Sequence, residues 1–197
     1  MAKKIRALGE RLKAAAAAAA AVMMGSGVAE HAHAQGYFTA KCYDAQGNLK
    51  WEDTFPNVVT TVGGNDILDK YLAGSSYTAA NYMGLIGAVS YTGTPVIGDT
   101  MSSHSTWTEA GGTNQPTYSQ SARPTCAWSS AASKSKSLSS PLTFSITGTG
   151  TAKGCFLTTV ATKDGTTGTL ISAGLFTGGD KAVANGDTLS VSYSLGV

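Results

Sequence analysis

The chain has 197 residues, which is enough for one domain with a well-buried core and an additional segment. Only 13% of the residues are charged and 42% are hydrophobic, so the composition is not that of a disordered protein. The net charge is +2, and five of the fourteen basic residues lie within the first 13 positions. The remainder is therefore nearly neutral, which argues against nucleic-acid binding.

Residues 1–35 form a separate N-terminal segment in which basic residues precede a run of eight alanines, Ala14–Ala21. Alanine has the highest helix propensity, so we expect an Ala-rich helix. Apolar residues recur along it with spacings of three and four, as in the seam of an oligomerising or docking helix. The seam residues are Ile5, Leu8, Leu12, Ala15, Ala19 and Val22.

A secretory signal peptide is the alternative interpretation of the same segment. Basic residues, an apolar run and the tripeptide Ala32-His33-Ala34 follow one another in the order of a cleavable leader. Cleavage would then follow Ala34. The apolar run is too short for a membrane span, so none is expected.

Residues 36–197 begin with an alternation that is typical of a β-strand. Phe38, Ala40 and Cys42 fall on one face of the run Gly36–Tyr43. Turn-forming residues at 44–48 separate this run from a second one, Leu49–Phe55. The two runs predict an antiparallel hairpin.

The next stretch predicts one short helix and a buried strand. Val58–Val62 is β-branched and favours an extended backbone, and Gly63-Gly64-Asn65 then leads into apolar residues at helical spacing. An acidic residue suits a helix N-terminus, so we expect the helix to begin near Asp66. Tyr82–Val89 is apolar and contains two glycines, which predicts a strand at the centre of a sheet.

The longest stretch without periodicity runs from Thr92 to Ser140 and is rich in Ser, Thr, Gly and Pro. It predicts loop structure with short strands near Tyr118 and Cys126, and long segments of this kind often contact partners. Its aromatic residues are candidate interface residues, with packing in the core as the alternative. They are Trp107, Tyr118 and Trp128.

The C-terminal part of the chain has the clearest strand pattern. Leu142–Ile146 and Leu189–Val197 alternate, whereas Cys155–Val160 and Thr169–Leu175 are apolar or β-branched, with glycine-containing turns beside them. The predicted fold is therefore mainly β. We expect an antiparallel β-sandwich or jelly-roll-like domain over residues 36–197, with one short helix, preceded by the Ala-rich helix and linker.

No familiar catalytic or nucleotide-binding motif is present in the sequence. One set of side chains could in principle activate a hydroxyl nucleophile, but positions in a polar loop explain it better. This set is Asp99, Ser102, Ser103, His104 and Glu109. We expect no enzymatic activity and no cofactor.

Two sets of residues could offer ligands to a metal ion. They are His31 and His33 beside Glu30 in the linker, and the turn residues Asp164, Asp180 and Asp187. A linker and ordinary turn preferences explain both sets without an ion, so no metal site is expected. Cys42, Cys126 and Cys155 form no CxxC motif and are expected to be buried thiols.

Four stretches of the body carry a resemblance to known proteins. They are VVTTVGGNDILDKYLAG at 58–74, YMGLIG at 82–87, DTMSSHSTWTEA at 99–110 with YSQSARP at 118–124, and the terminal GTTGTLISAGLFTGGDKAVANGDTLSVSYSLGV at 165–197. Together they resemble a family of small structural proteins of tailed bacteriophages, found among capsid-decoration, head-fibre and tail-associated proteins. The resemblance implies a β-sandwich displayed on the virion as a homo-oligomer, with no catalytic residues to transfer.

The sequence therefore favours a non-enzymatic virion protein. The most specific hypothesis is a capsid decoration, or cement, protein on the outer surface of the head that binds the major capsid protein as a dimer or trimer. One alternative is a tail, collar or head-fibre component anchored by its N-terminal helix. The other is a secreted, adhesin-like binding module, which cleavage after Ala34 would favour.

Overall fold

The computed structural model describes residues 34–72 and 81–197, all of which fall in one structural unit. The predicted N-terminal helix, its seam and the leader alternative lie outside these residues. The described part is mainly β, with two antiparallel sheets and one helix, α1 (Thr61–Leu72). No helix in it is long and apolar enough to cross a membrane.

Eleven strands make up the two sheets. In chain order they are β1 (Gln35–Tyr43), β2 (Leu49–Pro56), β3 (Val58–Val59), β4 (Tyr82–Gly87), β5 (Glu109–Ala110), β6 (Ser135–Ser137), β7 (Leu142–Ser145), β8 (Gly150–Thr158), β9 (Leu170–Leu175), β10 (Lys181–Val183) and β11 (Thr188–Gly196). The first sheet has the order β2-β1-β11-β6, and β7 also pairs with β11. The second has the order β3-β9-β8-β4-β5, and β10 also pairs with β8.

The predicted hairpin and the predicted C-terminal strand are both confirmed. β1 pairs with β2 and β11, and the Phe38 ring packs on Phe55 of β2 and Tyr193 of β11, with centroid distances of 5.3 and 4.7 Å. Phe176, which follows β9 of the second sheet, meets Phe55 edge-on at 4.8 Å. Side chains of the two sheets thus share one hydrophobic core.

The second sheet is buried on both of its faces. Along β8, Cys155 and Leu157 belong to the core shared with the first sheet, whereas Phe156 belongs to a second apolar cluster. That second cluster also contains Met101 and Trp107 from the long segment that lacks periodicity. The segment therefore covers the outer face of the second sheet, which explains the continuous apolar run of β4.

This cover corrects two expectations. Residues 92–140 bury several of their apolar side chains, and the strands in them are β5 and β6 rather than strands near Tyr118 and Cys126. Tyr118 and Thr125 make only isolated bridges, to Ile146 and Tyr82. The central strand of the second sheet is also β8 rather than β4, since β8 pairs with β4, β9 and β10.

Helix α1 begins five residues earlier than predicted, at Thr61, because Thr60 caps it. The Thr60 Oγ1 accepts a hydrogen bond from the backbone N–H of Gly63 at 3.0 Å. Gly63 lies against β9 so closely that a Cβ at this position would be 2.3 Å from the carbonyl oxygen of Ile171. The helix therefore docks by backbone contact, and its leucines face outward: Leu68 and Leu72 are 56% and 73% exposed.

The three cysteines are free and buried, as predicted. Burial raises the pKa of the Cys126 thiol to about 12, so it stays protonated at neutral pH. Cys42 lies beside Asp187, whose carboxylate also accepts hydrogen bonds from Lys50 and from the Ala184 backbone N–H, at 2.5 and 2.8 Å. Burial acts to raise the pKa of Asp187, but these hydrogen bonds outweigh it and hold the pKa below its usual value.

We predict that Gly63→Ala destabilises the protein whereas Gly64→Ala does not. At position 63 the new methyl group would clash with the backbone of Ile171, and the clash can be relieved only if α1 shifts away from β9. At position 64 no atom lies within 4 Å, so alanine should raise the free energy of unfolding by about 0.5–1 kcal/mol through its helix propensity. Urea unfolding of both variants measures the difference, and equal effects at the two positions would contradict the packing described.

We predict that Asp187→Asn lowers the free energy of unfolding by about 2 kcal/mol at pH 7, because the ion pair with Lys50 is lost. The lowered pKa of Asp187 means that its contribution is complete above the ordinary pKa of 3.8 and declines as the pH falls through the lowered value. The difference between wild type and variant in urea unfolding should therefore begin to shrink as the pH falls below 3.8 and disappear only below the lowered pKa. The control, Asp180→Asn at the more exposed pair with Lys153, should cost less than about 1 kcal/mol.

Candidate functional site

The residues of the predicted nucleophile set make structural contacts, and in the described residues they do not form a hydrogen-bonded series of carboxylate, histidine and serine. Asp99 accepts hydrogen bonds from the Trp107 indole N–H at 2.9 Å and from the Val96 backbone N–H at 3.0 Å. The His104 ring stacks on Trp107 at 3.9 Å, and its Nδ1 lies 2.9 Å from the Trp107 carbonyl oxygen. These contacts fix the loop over the second sheet.

The two serines of that set are not hydrogen-bonded to His104 in the part of the chain that the structure describes. The Ser102 hydroxyl lies 3.2 Å from the Thr100 hydroxyl. The Ser103 backbone N–H donates to the Thr100 hydroxyl oxygen at 3.0 Å. Both serines thus belong to a tight turn.

Glu109, the last member of the set, forms a buried ion pair with Arg123. Its two carboxylate oxygens lie 2.8 and 2.6 Å from Nε and Nη2 of Arg123, which is 1% exposed. Arg123 also donates to the carbonyl oxygens of Val160 and Gly165, at 2.8 and 3.1 Å. The guanidinium group thus makes four hydrogen bonds and joins the covering segment, residues 92–140, to the connection between β8 and β9.

Arg123 is a residue whose role sequence reasoning missed. One signal was available: it is the only arginine after Arg11, in a body whose other cations are lysines. Arginine is suited to bidentate binding of a buried carboxylate, so a single arginine among lysines indicates a specific ion pair. The carboxylate that binds it could not be identified from the sequence.

The three turn aspartates are separated and each has protein partners. Asp164 accepts hydrogen bonds from the backbone N–H and hydroxyl of Thr113, at 2.7 and 2.8 Å. Asp180 pairs with Lys153 and Asp187 with Lys50. Across residues 34–72 and 81–197 no group of three or more His, Cys, Asp or Glu side chains is arranged to hold a metal ion. His31, His33 and Glu30 lie outside those ranges.

Trp107 and Tyr118, two of the three candidate interface aromatics, lie in the chain's own core and are 1% and 3% exposed. Trp128 is only partly buried and meets Tyr193 edge-on at 6.0 Å. It therefore has surface to offer a partner, in contrast to the other two. The predicted seam residues of the N-terminal helix lie outside the described residues.

The most distinctive surface feature is a cleft of about 530 Å³ at the end of the sheets where Trp128 lies. Its volume falls within the range of about 300–1,000 Å³ typical of pockets that bind ligands or partner side chains. Apolar side chains from both sheets line it, and polar groups of α1 and β6 lie at its edge. The principal lining residues are Trp128, Leu157, Ile171, Tyr193, Leu195 and Lys136. We call this feature the cleft.

Helix α1 adds an exposed apolar face beside the cleft. Thr61, Asn65, Leu68 and Leu72 follow one another at intervals of four, three and four residues and are all exposed, so they lie along one side of the helix. Ile97, which is 64% exposed, is close to the start of this face, because its carbonyl oxygen accepts a hydrogen bond from the Thr61 backbone N–H at 2.9 Å. We call Leu68 and Leu72, with the adjoining Asp69, the outer face of α1.

Comparison with known proteins does not assign the chain to a family. No model of a protein family matches the sequence, and no curated protein is significantly similar to it. The function must therefore be argued from the features described above.

We predict that Glu109→Gln costs about 3–5 kcal/mol of stability, because it leaves the Arg123 guanidinium buried without a counter-charge. Glu52→Gln is the matched control, since Glu52 forms an exposed pair with Lys41 at 3.2 Å and should contribute less than about 1 kcal/mol. Thermal and urea unfolding of both variants measure this difference. A loss below 1 kcal/mol in Glu109→Gln would show that the pair does not hold the covering segment.

Proposed function

We propose that this chain is a non-enzymatic structural protein of a tailed-phage virion, built on a β-sandwich and displayed on the outer surface of the particle. The observation that carries the proposal is the combination of the cleft and the outer face of α1 on one domain. Contiguous exposed apolar surface of this kind is typical of proteins that act within an assembly.

The structural contacts of the candidate catalytic residues support the same proposal. Asp99, His104 and Glu109 are each committed to contacts that hold the covering segment in place. A residue used in this way is held by its neighbours and is not free to approach a substrate. The described residues therefore favour binding as the activity of this protein.

The phage-like stretches also carry the elements that form this surface. The stretch at 58–74 contains β3 and α1, and the terminal stretch contains β9, β10 and β11. The outer face of α1 and the cleft residues Ile171, Tyr193 and Leu195 thus come from the sequence that resembles virion proteins. The resemblance concerns the binding surface as well as the scaffold.

Our specific proposal is a capsid decoration protein that binds the major capsid protein. Such a protein stabilises the head because it binds the assembled state in preference to the separated subunits. At a free concentration one hundred times the Kd, each bound copy contributes about 2.7 kcal/mol to the assembled state. Many copies per head would resist the pressure of packaged DNA.

We predict that particles lacking this protein release their DNA at a lower temperature than wild-type particles. Purified wild-type protein added back should restore the release temperature, because binding is reversible and favours the assembled head. Leu68→Asp/Leu72→Asp should fail to restore it, whereas Leu49→Asp, at an exposed leucine of β2, should succeed. Heating with a DNA-binding dye measures release. Depleted particles as heat-resistant as wild type would rule out a stabilising role.

A tail, collar or head-fibre component is the second candidate, and the heptad seam in residues 5–22 of the sequence favours it. Labelling the protein on intact particles and imaging them by electron microscopy separates a location on the head from one on the tail. A secreted adhesin-like module would instead be shown by an intact mass that begins at Gln35, since that mass requires cleavage after Ala34.

A further inference from the structure

Unpaired charges of the described residues are concentrated on α1 and β6. Every other lysine, arginine, aspartate and glutamate in residues 34–72 and 81–197 has an ion pair or a hydrogen bond within that part of the chain. The exceptions are Asp69, Lys134 and Lys136, which are all exposed. Residues 73–80 carry no charged side chain that could pair with them.

Lys136 belongs to the wall of the cleft. It pairs directly across the antiparallel strands with Leu195 of β11, so both side chains project from the same face of the first sheet. Both residues line the cleft. The cleft therefore combines apolar side chains and the Asp66–Lys70 ion pair of α1 with Lys136, a cation that has no partner within residues 34–72 and 81–197. Lys134 adds a second positive charge just before β6.

The outer face of α1 has the opposite character. Asp69 is unpaired and adjoins Leu68, while Asp66 on the inner side of the helix is already neutralised by Lys70 at 2.9 Å. The helix thus offers two exposed leucines and one free carboxylate. Those are the groups that would satisfy an apolar cleft with a free lysine at its edge.

We propose that the partner for this surface is a second copy of the same chain. The outer face of α1 from one copy lies across the cleft of the next, with Leu68 and Leu72 against its apolar lining and Asp69 facing Lys136. This contact uses both apolar features and satisfies unpaired charges of both signs. This inference rests on the proposed function in one respect, which is that the cleft and the outer face of α1 serve as contacts within an assembly.

A contact between unlike surfaces can be repeated by rotation until a ring closes, so it suits a cyclic oligomer. A stable interface needs about 800 Å² from each partner, so surface around the cleft on one copy and around α1 and the exposed Ile97 on the other must contribute to it. Pairing of Asp69 of one copy with Lys136 of the next would fix the register of the two copies.

Charge reversal of the full-length protein tests this contact. Asp69→Lys and Lys136→Asp should each weaken self-association at least about tenfold in sedimentation velocity, since each places like charges opposite one another. The double variant Asp69→Lys/Lys136→Asp should return to within about threefold of wild type, because opposite charges then face each other again in every interface. Restoration by the second reversal cannot come from damage to the fold.

Apolar variants supply the second arm of the same experiment. Leu68→Asp/Leu72→Asp should weaken association by at least about a hundredfold, and the control Leu49→Asp should leave it unchanged. A monomeric wild-type protein overturns the inference, as does association that none of the α1 and Lys136 variants alters. Virion location is measured separately, so a monomer found on particles would reject this contact and leave the proposed function standing.

Discussion

The buried ion pair between Arg123 and Glu109 is the contact on which the rest of the second sheet depends. That sheet is apolar on both faces, and its outer face is covered by a segment almost without strands. Scattered backbone hydrogen bonds, such as those from the Met83 N–H to the Pro124 carbonyl and from the Arg123 N–H to the Ala161 carbonyl, hold this cover together with its side chains. Arg123 contributes to this connection, because a desolvated guanidinium group must satisfy its donors and here it donates to two backbone carbonyls, of Val160 and Gly165, and to Glu109.

A second constraint decides where the binding surface lies. Gly63 brings α1 into close backbone contact with β9. The leucines of the helix are consequently left on the outside. The stability of the domain and the location of its exposed apolar surface thus have a common origin in one glycine.

Within residues 34–72 and 81–197, the charged side chains are paired or hydrogen-bonded except on α1 and at or just before β6. In the covering segment the candidate catalytic residues Asp99, His104 and Glu109 make structural contacts. The exposed leucines and the charged side chains without a partner in the described residues lie instead on α1 and around the cleft. A structural role in an assembly is consistent with this division. The cleft is lined mainly by apolar side chains.

The sequence by itself determined the strands, because a half-buried strand alternates with a period of two and a turn has a narrow choice of residues. β1, β2, β9 and β11, and the burial of the cysteines, could be predicted in this way. The partners of Arg123, the cover formed by residues 92–140 and the outward side of α1 were decided only by the tertiary structure. Each depends on residues distant in sequence, such as Gly63 with Ile171 or Lys136 with Leu195, and a local pattern carries no information about which distant backbone a residue will meet.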